Sequence, residues 1–228
     1  MSMNILIACE ESQRVCTEFR KRGHRAFSCD IIEPSGGHPE WHIQADVLPL
    51  LNGDCKFTTL DGKEHKQDGK WDMLIAFPPC TYLSNAATRS HSLKRTPLQK
   101  INDRTLLRVK AMQFFMDFAN ADCDKIAIEN PIGVMNTCYR KPDQIIHPYM
   151  FADSENDREQ YVTKATCLWL KQLTPLVGKG WQKPDNKKIF GVYSSGKAKT
   201  WEDCFSRDAN VRSKTFPGVA KAMAKQWG

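Results

Sequence analysis

Short, uninterrupted apolar runs alternate with stretches of helical spacing through the first half of the chain, and this alternation constrains the fold more than any other feature. Asn4–Cys9 (NILIAC) is apolar on consecutive residues, as a strand buried on both faces requires. Ser12–Arg22 then spaces Val15, Cys16 and Phe19 as one helical face, and Gly23 ends it. Arg25–Cys29 reads as a second strand ending at Asp30. After a turn-rich stretch from Glu33 to Glu40, His42–Ala45 reads as a third strand ending at Asp46. Trp71–Phe77 and Asp124–Glu129 supply further strands. The pattern predicts an α/β chain, Rossmann-like, with a mostly parallel sheet and helices on both faces.

Between the third strand and Trp71 the chain is polar, and Asp61-Gly62 lies between Lys56–Leu60 and a charged return, which predicts a surface hairpin. Thr96 is placed to cap the longest helix, with Pro97 at its first position and apolar residues at Leu98, Ile101, Leu106, Val109, Met112, Phe115 and Phe118. Gln144–His147 and Ala165–Leu170 are later strands. From Lys171 to Val211 the chain is polar and interrupted by prolines and glycines, so a small irregular annex is expected there. A helix over Gly218–Trp227 closes the chain. The expected organisation is a main domain over 1–170, an annex over 171–211 and a terminal helix over 212–228 that returns to the main domain.

The 33 Lys+Arg against 26 Asp+Glu give a formal charge of +7, which favours a polyanionic partner. No apolar run approaches the ~20 residues needed to cross a bilayer. The N-terminus lacks the basic leader of a secretory signal, so a cytoplasmic location without membrane attachment is expected. Nine cysteines include no CxxC pair and leave one over from any complete pairing, which argues against a disulfide framework or zinc ribbon. His38 and His42 have i, i+4 spacing, but Pro39 and nearby glycines make them loop residues rather than a helical metal pair.

Glu10, Asp30, Asp46 and Glu129 each fall at the carboxyl end of a predicted strand, and Cys80 lies just beyond another. In a parallel sheet that edge is where ligands bind, so the five groups are expected to converge on one crevice. The loop Cys9-Glu10-Glu11-Ser12-Gln13 has no glycine and two acids, which disfavours a pyrophosphate and hence NAD or ATP. S-adenosylmethionine, cationic and free of phosphate, suits such a loop. In Phe77-Pro78-Pro79-Cys80 two prolines fix an extended approach and present the thiol at a defined place, as a nucleophile requires. Glu129-Asn130-Pro131 adds a carboxyl group and an amide. Thiolate and protonated carboxyl together suit addition to an electron-poor ring such as cytosine, whose C6 resists attack until N3 is hydrogen-bonded.

Phe77-Pro78-Pro79-Cys80-Thr81-Tyr82-Leu83-Ser84 and Glu129-Asn130-Pro131 resemble the Pro-Cys and Glu-Asn-Val motifs of the DNA cytosine-5 methyltransferase family, in particular its short phage and prophage-type members. The resemblance implies that Cys80 adds to cytosine C6, that Glu129 with Asn130 serves the ring, and that S-adenosylmethionine is the methyl donor. It implies that Asp30 holds the ribose and Asp46 the adenine, with Ile31 and Val47 beside them and Glu10 and Pro79 completing the cofactor set. Arg212–Gly218 is similar to the final family motif. On the substrate side it implies Ser84, Lys164 and Thr166. The basic loop from Thr81 to Arg95, with Arg89, His91, Lys94 and Arg95, is placed to close over a base and touch DNA phosphates. The chain departs from the family in its glycine-free first motif and in its small annex. Two alternatives stay open: the same chemistry on single strands or a free pyrimidine nucleotide, and a methyltransferase fold that only binds nucleic acid, a nucleotide or a protein.

Overall fold

The computed structural model describes residues 2–85, 96–204 and 212–228. The first half contains β1 (Asn4–Ala8), α1 (Arg14–Arg20), β2 (Arg25–Asp30), β3 (His42–Gln44), β4 (Cys55–Thr58), β5 (Glu64–Gln67), β6 (Met73–Ala76) and α2 (Leu98–Ala119). It continues with β7 (Ile126–Pro131), α3 (Met135–Cys138), β8 (Gln144–Ile146), β9 (Thr166–Lys171), α4 (Asn186–Phe190), α5 (Trp201–Cys204) and α6 (Pro217–Trp227). Seven strands form one sheet in the order β3-β2-β1-β6-β7-β9-β8, and only β9 runs against its neighbours. This is a doubly wound, Rossmann-like arrangement with one reversed strand inserted near an edge. The order turns back between β1 and β6, so the crevice that such sheets use for ligands opens between Ala8 and Ala76.

Consecutive apolar residues in the central strands are explained by helices on both faces. Ile5, Ile7, Met73 and Ile75 face a core built with Val15, Cys16 and Phe19 of α1 and Val219, Met223 and Trp227 of α6. Leu6, Ala8, Leu74 and Ala76 face the other core, with Phe115 and Phe118 of α2 and Phe57 of the hairpin. Each large side chain buried this way contributes about 1.5–3 kcal/mol before ordering costs. The β4–β5 hairpin turns through Asp61-Gly62 as expected, and Phe57 packs its ring 4.9 Å from Phe27. His42 is not a loop residue. It opens β3 fully buried, with Nδ1 2.9 Å from Ser28 Oγ and Nε2 3.2 Å from the Ile32 carbonyl oxygen.

Helix α2 begins one residue later than the sequence implies, with extended Pro97 in the cap position and no side-chain cap. Its N-terminal part also departs from expectation: Leu98, Leu106 and Val109 are 62%, 59% and 56% exposed. The reason is length. A helix of 22 residues spans about 33 Å, whereas the six residues of β7 span about 20 Å. The N-terminal part of α2 therefore overhangs the carboxyl edge of the sheet. Beyond β9 the described residues include α4, α5 and an isolated bridge between Val192 and Ala198 before α6. All nine cysteines are free. Among the described residues no helix is long and apolar enough to cross a membrane.

Candidate active site

At the end of β1 the chain takes left-handed backbone at two non-glycine residues, Cys9 (φ 57°) and Gln13 (φ 55°). Each such turn costs on the order of 1–2 kcal/mol. Gln13 is compensated by its side chain, which donates to the His38 carbonyl oxygen (2.8 Å) and accepts from the His38 amide (3.0 Å). Glu10 does not face the crevice, as a cofactor ligand would. Its carboxylate turns under the loop and accepts from the amides of Val15 (2.6 Å) and Cys16 (3.1 Å) at the start of α1, leaving the residue 3% exposed. Burial pushes its carboxyl up to about 8, against the pull of those two amides. The helix end that binds phosphate in dinucleotide folds is thus filled by the chain's own acid.

Asp30 is half-buried at the end of β2, its carboxyl raised by burial. Asp46 is exposed past the end of β3. They follow the carboxyl ends of the adjacent parallel strands β2 and β3, and after burial both contribute to raising the Cys9 thiol. Ile31 beside Asp30 is exposed, but Val47 is not: its side chain is buried in the α2-side core, because the chain folds inward there toward Leu50 and Leu51. Lys214 spans the rim, donating to Ser35 Oγ (2.7 Å) and lying 3.7 Å from Glu11 Oε1, while Arg14 donates to the Thr215 carbonyl oxygen (2.7 Å). With Glu11, Asp30 and Asp46 around it, the crevice suits hydroxyls, amines and a sulfonium and repels phosphate. Asp30 and Asp46 could hold the hydroxyls and amines of a phosphate-free ligand such as the S-adenosylmethionine that the sequence implies. Among the described residues no three His, Cys, Asp or Glu side chains are grouped to hold a metal ion.

Cys80 and Glu129 come from adjacent parallel strands, β6 and β7, whose register pairs Ala76 with Ile128. Two loops follow these strands, and they are stitched together. Asn130 Nδ2 donates to the Pro78 carbonyl oxygen (2.7 Å), the Val134 amide to Leu83 (2.8 Å) and the Asn85 amide to Ile132 (3.1 Å). Ser84 bridges Gly133, where a Cβ would lie 2.0 Å from the Leu83 carbonyl oxygen, so only glycine allows this approach. The amides of Leu83 and Ser84 both donate to the Cys80 carbonyl oxygen, closing a tight turn behind the thiol. Cys80 is exposed at the mouth of the site. Although the residue is exposed overall, the protein packed around its thiol raises it, as does the charge of Glu129, and Lys164 and Arg212 only partly oppose this. Glu129 is likewise raised by burial and lowered by Lys164.

Glu129, Lys164 and Thr166 line a pocket with Phe77, Phe216 and Met223. Lys164 Nζ donates to the Arg212 carbonyl oxygen (2.8 Å) and lies 5.7 Å from the centre of the Trp201 ring and 5.5 Å from that of Phe216. Two aromatic faces and one carbonyl therefore hold its ammonium group near the site. Pro79 is exposed next to Cys80, and Phe77, two residues earlier, lines this pocket instead. Arg89, Lys94 and Arg95, with His91, lie outside the described residues. Trp201, Arg212 and Phe216 were not singled out from sequence as partners of Lys164. No spacing rule links them, because they meet it only through the chain's return to the sheet. No protein-family model matches the sequence, and no curated protein matches it.

Proposed function

We propose that the protein is a DNA cytosine-5 methyltransferase with a reduced recognition annex. The observation that carries this is that β6 and β7, paired in register and tied by Asn130 to Pro78, bring the Cys80 loop and the Glu129 carboxyl to the same edge of the sheet, where Glu129 and Lys164 line a pocket. S-adenosylmethionine, held by Asp30 and Asp46, would supply an electrophilic methyl group to this site.

The chain's own residues account for the remaining steps. The Cys80 thiolate forms a bond from Sγ to C6 of cytosine, and the C5–C6 π pair shifts toward C5 and through C4 onto N3. Protonated Glu129 donates its proton to N3 and so accepts the developing charge. Burial favours that protonated state of Glu129; it also favours the Cys80 thiol, which Lys164 and Arg212 only partly oppose, and a protonated Glu129 no longer adds its charge against the thiolate. After C5 is alkylated, its proton leaves to water, the Sγ–C6 bond breaks to regenerate the thiolate, and the N3 proton returns to Glu129. The ties from Asn130 to Pro78 and from Val134 to Leu83 hold both groups in place before substrate arrives, which limits the reorganisation each step requires. A duplex substrate must also extrude its base, at a cost of a few kcal/mol.

DNA containing 5-fluorocytosine tests the reading, because fluorine at C5 cannot leave as a proton and the adduct is trapped. With S-adenosylmethionine, the parent protein should form a covalent complex that disappears in Cys80→Ser. An adduct that persists in Cys80→Ser would overturn the assignment. One observation favours a second reading, a methyltransferase fold that binds nucleic acid without catalysis. Glu10 is engaged by the amides of α1, so the helix end beside the first loop is already occupied from within the chain. Calorimetry separates the two: absence of heat with millimolar S-adenosylmethionine would favour the second.

A further inference from the structure

We infer that Arg104 and Arg108, on the overhanging first half of α2, clamp a backbone phosphate of the nucleic-acid strand whose base reaches Cys80. The two residues stand one helical turn apart and so project from the same face. Both engage Tyr82, two residues beyond the nucleophile: Arg108 Nε donates to its carbonyl oxygen (3.0 Å), and the Arg104 guanidinium lies 5.4 Å from the centre of its ring. The pair is thus fixed to the loop that carries Cys80.

Its charges are not compensated. Among the described residues neither guanidinium has a carboxylate partner. Burial and the positive charge of Arg104 both weigh against the charged form of Arg108. Arg104 Nε and Arg108 Nη2 are cut off from water and make no hydrogen bond. Those two atoms are closed to a ligand as they are to water, but the exposed parts of the two guanidinium groups, neighbouring like charges without a carboxylate, point to an anion supplied from outside the chain. Both side chains remain partly exposed. Two planar donor forks side by side match the oxygens of a phosphate, which would offset their mutual repulsion and take up donors in one contact. The apolar residues around them on α2 make a poor site for a small hydrated anion, whereas a strand laid across the sheet edge would cover them while its base enters the pocket.

The inference rests on the nucleic-acid reading of the Cys80 site, though not on methyl transfer. It is tested by fluorescence anisotropy with a labelled, cytosine-containing single-stranded oligonucleotide at several salt concentrations. Arg104→Gln is the principal variant, because among the described residues Arg104 meets Tyr82 through its ring face and its Nε makes no hydrogen bond that folding would miss. Losing one phosphate contact on a single strand lowers the slope of log affinity against log salt by about 0.7. Between roughly 50 and 200 mM salt the parent's affinity should therefore fall about 2.6-fold more than that of Arg104→Gln. Arg104→Lys/Arg108→Lys, which keeps the charge, should keep the parent's slope. An unchanged slope in Arg104→Gln would overturn the clamp. So would a loss confined to dCMP, which assigns the pair to a nucleotide's terminal phosphate. If the parent does not bind the oligonucleotide, the clamp and the nucleic-acid reading fall together. A changed slope in a protein that transfers no methyl group would leave the clamp standing without the catalytic reading.

Discussion

Replacing Asn130 tests the link between the two strand-end loops. Its side-chain amide donates to the Pro78 carbonyl oxygen over 2.7 Å, and both residues are buried, Asn130 to 1% exposure. Water cannot take over the lost contact in Asn130→Ala. A neutral hydrogen bond contributes about 1 kcal/mol net, and a buried carbonyl left without its donor costs a further ~1–3 kcal/mol. Part of this is returned, because Asn130 Oδ1 has no partner and its burial is also unfavourable. The expected loss is about 1–3 kcal/mol, a fall in Tm of roughly 3–10 °C for a chain of this size. Asn130→Asp keeps the shape but replaces the donor with a carboxyl group that must hold a proton to bond Pro78. Burial raises that carboxyl's pKa in the folded chain, so its contribution is full in acid and is lost as pH rises. Calorimetric melts at pH 5 and pH 8 should give Asn130→Ala a constant offset from the parent, and Asn130→Asp an offset that widens with pH. Labelling of Cys80 with iodoacetamide should become heterogeneous in both, as the Pro78–Cys80 segment loosens. A melting profile for Asn130→Ala identical to the parent's, or a pH-independent offset for Asn130→Asp, would refute the structural role.

Three further outcomes are expected. At pH 8.5, alkylation of Cys80 should be faster in Glu129→Gln, which removes a charge that raises the thiol's pKa, and slower in Lys164→Gln, which removes one that lowers it; mass spectrometry of the labelled peptide reads both, and the reverse order would contradict the site's electrostatics. Glu10, lifted by burial from 4.5 to about 8, stabilises the fold fully below pH 4.5 and loses that contribution as pH rises toward 8, by up to about 1.4 kcal/mol per unit. Urea midpoints of the parent should therefore fall relative to Glu10→Gln across that window, and parallel profiles would argue against it. Gly133→Ala should destabilise by about 1–3 kcal/mol, since its Cβ would lie 2.0 Å from the Leu83 carbonyl oxygen and pry the two loops apart, and an unchanged denaturation midpoint would count against that contact.

The strands, the hairpin and the closing helix were legible because their signals are local. Apolar runs, a turn dipeptide and helical spacing depend only on near neighbours in the chain. The same holds for the acids at strand ends and the proline-fixed cysteine, whose positions relative to the strands follow from where each apolar run stops. Helix α2 shows where local pattern fails: Leu98, Leu106 and Val109 have core spacing, yet no strand lies beneath them, because helix length and strand length are set independently.

Direction and company were decided only in three dimensions. Nothing local told whether Glu10 would face the crevice or α1, since one backbone turn at Cys9 settles it and the helix amides reward the inward choice. The reversed β9 brings Lys164 to the edge beside Glu129, and the chain's return brings Trp201, Arg212 and Phe216 around its ammonium group. Arg104 and Arg108 read as ordinary surface charges of a helix until Tyr82 is seen between them and Cys80. Periodicity carries which side chains share a face of one element. Which elements lie against each other depends on burial summed over the whole chain, and that sum exists only once it has folded.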